Sequence, residues 1–265
     1  MEKLLQTPAL DLAQTLDCGQ CFRWNVQADG SYLGVADGKL LRISAETLPD
    51  VLADPFWADY FDMALDYGKI RGDLALLHPA MAAAGEYCPG IRVLNQDPWE
   101  ALCSFILSQN NNIKRIKGIV ERLCEHFGEP FSGPEGQALY AFPGPDRLAC
   151  LEPEDLAPLR SGFRARYVID AARRVAGGSV DLEALRKDEL GKAREQLMTI
   201  TGVGVKVADC ALLYGLHRLD AFPMDVWMKR AMETLFPGKE PSFFGPYAGI
   251  AQQYIFHYIR TSGEE

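Results

Sequence analysis

Gly202-Val203-Gly204-Val205-Lys206-Val207-Ala208-Asp209-Cys210 places two glycines, one apolar residue apart, between two segments of helical pattern. Thr201 to Val205 is long enough only for a tight hairpin between those helices. Glycines there let the backbone approach a phosphate, and the N-terminus of the second helix offers unpaired N–H groups to an anion. The same Gly-x-Gly also serves as a plain helix connection, so the glycines alone fit either reading. Two companions tilt the balance. Lys206 opens the second helix, and Asp225 follows 19 positions later in a Phe-Pro-Met-Asp turn.

Lys206 sits among Val205, Val207 and Ala208, with Cys210, Ala211, Leu212 and Leu213 following. A helix apolar nearly all round is buried. Its first turn lies at the positive end of the macrodipole, so dipole and burial both disfavour an ammonium. An unperturbed lysine is well under about 1% neutral at pH 7. A nucleophilic lysine needs such a shift. Asp225 precedes Val226 to Leu235 and reads as the N-cap of that helix. A capping carboxylate stays ionised, and beside a sugar it also stabilises an oxocarbenium-like transition state. A carboxylate near the lysine opposes the dipole, and the residues alone do not rank the two effects. Together they suggest an amine that attacks a nucleotide.

Outward from this hairpin the chain divides into two parts, 1–92 and 93–265. The first is an α+β domain on an antiparallel sheet. Phe22 to Val26, Ser31 to Ala36 and Lys39 to Ile43 read as strands, with Asp29-Gly30 and Asp37-Gly38 as turns. Pro55 to Ala64 and Leu74 to Gly85 are its predicted helices. From Asp97 onward the pattern is almost all helix: Trp99 to Leu107, Ile113 to Phe127, Arg166 to Val175, Leu182 to Ile200, Lys206 to Leu216, Val226 to Leu235 and Tyr247 to Ile259. Ser108 to Asn112 is a polar break, and Gly177-Gly178 a stop signal.

The formal net charge of −9 over 265 residues argues against a general polyanion binder. Local bias answers this. Lys114, Arg115 and Lys117 cluster, as do Arg160, Arg164 and Arg166, while acid gathers in Asp50 to Asp66 and Glu152 to Asp155. Seven scattered cysteines do not form a disulfide framework and suit a reducing cytosol. Cys18 and Cys21 make one C-x-x-C, which cannot complete a four-ligand zinc site. Met1 to Gln20 lacks the apolar stretch of a signal peptide, and no run approaches a membrane span.

These residues resemble the helix-hairpin-helix (HhH-GPD) DNA glycosylases, and more narrowly the 8-oxoguanine DNA glycosylase/AP lyase branch. The resemblance runs along the chain through Cys18 to Trp24, Ser108 to Ile113, Gly162 to Tyr167, Gly202 to Cys210, Phe222 to Val226 and Tyr247 to Phe256. It implies an α+β N-terminal domain followed by a mostly helical glycosylase region. It implies that Lys206 attacks the sugar C1′ and forms a Schiff base, assisted by Asp225. Gly19 would accept the N7 hydrogen of 8-oxoguanine, Cys210 and Phe256 would sandwich the flipped base, and Gln252, with Pro223 in the pocket, would bind its pairing edge. Asn110 would fill the gap, Arg115 and Arg164 would read the orphaned cytosine, and Phe163 would wedge beside it. Gly202 and Gly204 would hold the DNA backbone. An enzyme acting on a base must flip it and support the gap.

The implied partner is duplex DNA carrying oxidised guanine, met by a monomer with no membrane, no cofactor and no metal. With no cysteine after Cys210, the iron–sulfur cluster of some relatives is not expected. The implied compartment is the cytoplasm beside a bacterial nucleoid, or a eukaryotic nucleus. Two positions depart from the pattern: Trp227 stands where some relatives carry histidine, and Thr201 where proline is common. The rival readings are an alkylated-base glycosylase, which typically lacks the lysine, and a DNA-binding module without catalysis.

Overall fold

The computed structural model describes residues 10–133, 136 and 138–262. The absence of a leader was read partly from residues 1–9, which lie outside the described residues.

The sheet forms over the three predicted strands, the first two starting later than expected. Strands β1 (Trp24–Val26), β2 (Tyr32–Ala36) and β3 (Lys39–Ile43) pair antiparallel in that order, with Trp24 opposite Gly34 and Ala36 opposite Lys39. Asp37 and Gly38 take φ of 49° and 69°, the left-handed pair that a two-residue hairpin needs. Gly34 has a packing reason: a Cβ there would lie 2.2 Å from the Trp24 indole. Trp24 can therefore lie across the sheet, fully buried, against Trp57, Tyr60 and Phe61. Its indole N–H donates to Tyr60 Oη at 2.8 Å. This aromatic cluster is one of two cores.

The larger core is helical. At its centre lie Pro98–Ser108 and Val205–Tyr214, both buried nearly all round, as their uniformly apolar sequences require. They pack directly against each other; a Cβ on Gly215 would sit 2.8 Å from that of Ala101. Ile113–Phe127, Arg164–Ala176, Val226–Leu235 and Ala248–Thr261 surround them. Tyr67–Ala75 and Pro79–Tyr87 send Ile70, Leu74, Met81 and Ala84 into the same core, the latter helix packing on Ala248–Thr261. Among the described residues no helix is long and apolar enough to cross a membrane.

Several segments differ from the periodic reading, Pro55 to Ala64 ending early at Tyr60 among them, and three have a clear local cause. Leu74 to Gly85 is not one helix: it breaks before Pro79, which starts the second helix with His78 extended as its cap. A residue before proline is pushed out of the α region, which forces the break. Leu182 to Ile200 divides into Leu182–Leu185 and Leu190–Met198. Glu189 turns extended between them, and its carboxylate caps the N–H groups of Gly191 and Lys192 at 2.9 and 3.1 Å. A short strand pair, β4 (Pro130–Ser132) with β5 (Ala138–Tyr140), interrupts the helical region. Three-residue strands are too short to show an alternation.

The two cores are joined by a buried ion pair. Arg23, just before β1, lies 3.5 Å from Glu100 in the first turn of Pro98–Ser108. Burial raises the Glu100 pKa from 4.5 to about 7, more than Arg23 lowers it. A raised carboxyl favours the folded state when protonated, so its contribution is full below pH 4.5 and fades as pH rises through about 7. Glu100→Gln is therefore expected to flatten the pH dependence of unfolding free energy across that window, by about 1–3 kcal/mol. Urea titrations at pH 4.5, 6 and 8 check this; parallel wild-type and variant profiles would contradict it.

Candidate active site

The hairpin is a turn from Ile200 to Val203, closed by Val203 N–H donating to the Ile200 carbonyl at 3.0 Å. Gly202 occupies its third position with φ of +78°, which is why a glycine stands there. A Cβ on Gly202 would also meet the Tyr167 ring at 2.5 Å. Gly204 is the extended N-cap of Val205–Tyr214 and makes no side-chain cap. Open space lies where its Cβ would be. The first-turn N–H groups of that helix have no intrahelical acceptors, an arrangement that can receive an anion.

Lys206 projects from this first turn, 5.5 Å above the Phe105 ring. Phe105 stacks on Tyr214 at 5.1 Å and meets Phe22 edge-on at 5.7 Å, so the lysine rests on an aromatic floor. Lys206, Cys210 and Tyr214 recur every four residues and share one helix face. Burial pushes the Cys210 thiol up to about 11, Lys206 pulling it down and Asp225 adding to the rise. The Tyr214 hydroxyl is also held well above its ordinary value by burial, with Cys210, Cys18 and Asp225 adding to it. Lys206 and Asp225 therefore both act electrostatically on the buried Cys210 thiol.

Asp225 is the N-cap the sequence suggests. It is extended, and its carboxylate accepts the Met228 N–H at 2.8 Å. Opposite, on Ala248–Thr261, Gln252 is buried; its Oε1 accepts from Tyr214 Oη at 3.2 Å and its Nε2 donates to the Pro223 carbonyl at 3.4 Å. Gln253 Nε2 donates to the same tyrosine oxygen. Phe256, one turn on, is half-buried with Arg260 lying 5.1 Å over its ring. Gly19 has φ of +90°, and its Cβ position lies 3.4 Å from Ile113. The adjoining Gln20 fixes this corner, donating to the Thr15 and Arg92 carbonyls at 2.8 and 2.7 Å and accepting from Leu94 N–H at 2.9 Å.

The gap-side residues form a second group. Asn110 is exposed with φ of +48°, in a loop capped at both ends by amides. Gln109 and Asn111 donate to the Ile106 and Leu107 carbonyls, and Asn112 caps Ile113–Phe127 through Arg115 N–H at 2.9 Å. Arg164 is buried and grips this loop, donating to the Gln109 and Asn110 carbonyls and to Ser161 O at 3.1 Å. Arg115 is exposed, and Phe163 is about half-exposed (47%) beneath the Arg164 guanidinium. One helix reaches both groups: Pro98–Ser108 carries Phe105 under the lysine and ends at Gln109.

The basic clusters are thinner than their sequence suggests. Lys117 donates to the Trp24 carbonyl at 2.5 Å and stands 3.7 Å from Asp17, so it serves the sheet. Lys114, Arg115, Arg160 and Arg166 remain exposed. Cys18 and Cys21 are buried free thiols bonded to the Thr15 and Leu16 carbonyls. Sequence reasoning missed Phe105, Tyr214, Gln20, Tyr167 and Asp170. Gln20 and Tyr167 lie in stretches that carry the resemblance, and Tyr214 keeps a four-residue spacing from Cys210; Phe105 and Asp170 had no such signal.

Residues 3–102 match the 8-oxoguanine DNA glycosylase N-terminal domain family, and residues 103–242 the HhH-GPD superfamily of base excision DNA repair proteins. The N-glycosylase/DNA lyase of Saccharomyces cerevisiae is 38% identical over 60% of this chain, which spans about half (48%) of that relative. The structure of MBOgg1 in complex with a low affinity DNA ligand superposes with a TM-score of 0.87 at 40% identity, covering 98% of this chain and 95% of that one. The Clostridium acetobutylicum 8-oxoguanine glycosylase/lyase, in complex with dsDNA containing cytosine opposite 8-oxoG, gives 0.85 at 34% identity over 96% and 93%. On this fold, these matches and the lysine-bearing hairpin, the chain belongs to the 8-oxoguanine DNA glycosylase/lyase branch of the HhH-GPD superfamily of base excision DNA repair proteins.

Proposed function

We propose that this protein excises 8-oxoguanine from duplex DNA with Lys206 as nucleophile and then cleaves the strand at the abasic site. One observation carries the reading: Lys206 stands at the open N-terminus of a buried helix, over an aromatic floor, with Asp225 bearing on the same thiol. The hairpin N–H groups hold a phosphate, which brings C1′ of the adjoining nucleotide to Lys206. The amine lone pair bonds C1′ as the glycosidic bond breaks, and the base departs with that electron pair and a proton. The Asp225 carboxylate stabilises positive charge at the sugar. Opening of the ring leaves an iminium on Lys206. Loss of a C2′ proton then expels the 3′ phosphate by β-elimination. Gly19, Cys210, Pro223, Gln252 and Phe256 form the base pocket in this reading. Incubation with an 8-oxoguanine duplex is expected to release free base and a β-elimination product; the absence of both would refute the proposal.

Opposite cytosine is the preferred context. Asn110 and Arg115 are exposed; in this reading they face the gap, and Arg164 joins them by exchanging its loop carbonyls. Guanidinium donors suit the acceptor edge of an unpaired cytosine, whereas adenine presents an amino donor and leaves buried donors unmatched. Excision opposite cytosine is expected to be at least about tenfold faster than opposite adenine, tenfold being about 1.4 kcal/mol. Arg164→Ala should narrow the gap. Single-turnover rates on duplexes differing only at that base check this; equal rates would assign the arginines to phosphates.

A further inference from the structure

We infer that Asp170 is a positioning residue for the DNA-holding hairpin, acting through the backbone N–H of Thr201; this rests on the reading of the hairpin as the phosphate site. The hairpin is fastened to Arg164–Ala176 at two points. Gly202 lies against Tyr167, with no room for a Cβ. Thr201 N–H donates to Asp170 Oδ2 at 2.7 Å, across 31 residues of sequence. The same oxygen accepts from Arg174 Nε at 2.9 Å, so it is itself held in place. Burial would raise the Asp170 pKa, but the Thr201 N–H, Arg174 and the Thr201 side chain outweigh it and hold the carboxyl below its ordinary value. Asp170 is thus an ionised acceptor that engages Thr201 through its backbone N–H and its side chain.

Why that donor needs holding follows from the turn. Thr201 is the second residue of the Ile200–Val203 turn, and the turn's own hydrogen bond does not use its N–H. With φ positive at Gly202, this is the turn type in which proline is favoured at the second position. A proline would fix the backbone dihedral and remove the donor. Threonine does neither, and Asp170 restrains the position from outside. The same helix carries Arg164, which grips the Gln109–Asn110 loop. One rigid helix therefore sets the distance between the phosphate grip and the gap-side loop, and Asp170 is the link at the phosphate end.

The test uses the full chain and a duplex with a tetrahydrofuran abasic analogue at the lesion position, read by fluorescence anisotropy, alongside single-turnover excision at saturating enzyme. Asp170→Ala is expected to raise Kd about five- to tenfold, as for one charge-assisted hydrogen bond partly replaced by water. The saturated rate should fall by less than about threefold, since the chemistry at Lys206 is untouched. Asp170→Asn, which keeps an acceptor, should stay within about twofold of wild type. Thr201→Pro deletes the donor, and in that background Asp170→Ala should change Kd by less than about twofold. An equal loss in both backgrounds, an unchanged Kd for Asp170→Ala, or tighter binding would overturn the inference. Failure of the functional reading is distinct: wild-type protein itself would release no base.

Discussion

Lys206→Gln is expected to abolish base release and strand cleavage on an 8-oxoguanine duplex while leaving DNA binding close to wild type. Glutamine has no amine to bond C1′, and Cys210 beneath it is a buried thiol raised to about 11, so it offers no thiolate in exchange. Loss of a covalent nucleophile costs roughly 10³-fold or more in rate. The fold should survive, because Lys206 is only partly buried and its neighbours Val207 and Ala208 carry the helix packing. Binding should survive as well, because the phosphate is held by backbone N–H groups that the substitution leaves in place. Single-turnover kinetics and anisotropy on one preparation separate the two. Excision within about tenfold of wild type would remove Lys206 from the mechanism.

Asp225→Asn carries the second largest effect. In the proposed mechanism the carboxylate has two roles that a single neutral isostere separates. As the cap of Val226–Leu235 it accepts one N–H, which asparagine does about as well, so stability should change by less than about 1 kcal/mol. As the negative charge beside the sugar it has no substitute. Removing one such preorganised electrostatic group slows chemistry by about 10²–10³-fold. A folded Asp225→Asn variant with slow base release and normal affinity is the expected outcome. Near-normal single-turnover rates would reduce Asp225 to a cap.

The catalytic half of this arrangement was legible because it is local. Lys206 and Cys210 follow the helical period, and an aspartate before an apolar run marks a helix start whatever surrounds it. The hairpin was legible because glycine is the residue that tolerates the φ of +78° at position 202. Periodicity orders residues within a helix but does not say which helices face each other. Phe105 under Lys206 joins two helices far apart in sequence, and Asp170 to Thr201 joins residues 31 apart. No pattern connects such pairs. Arg164 shows the same limit: an arginine near an exposed aromatic reads as a surface charge, yet it is buried and holds the carbonyls of a loop 54 and 55 residues earlier. The divided helices escaped for another reason. The run Arg186 to Glu189 has good helix formers, and only the bonds from the Glu189 carboxylate to Gly191 and Lys192 reveal that it is a cap.

Borohydride reduction during turnover addresses the central claim most directly. Wild-type protein is incubated with an 8-oxoguanine:cytosine duplex in the presence of sodium borohydride, and the cross-linked species is digested and mapped by mass spectrometry. A single reduced adduct on the peptide that contains Lys206, absent from undamaged duplex, is the predicted result. Base release with no trapped adduct, or an adduct on a different residue, would contradict it.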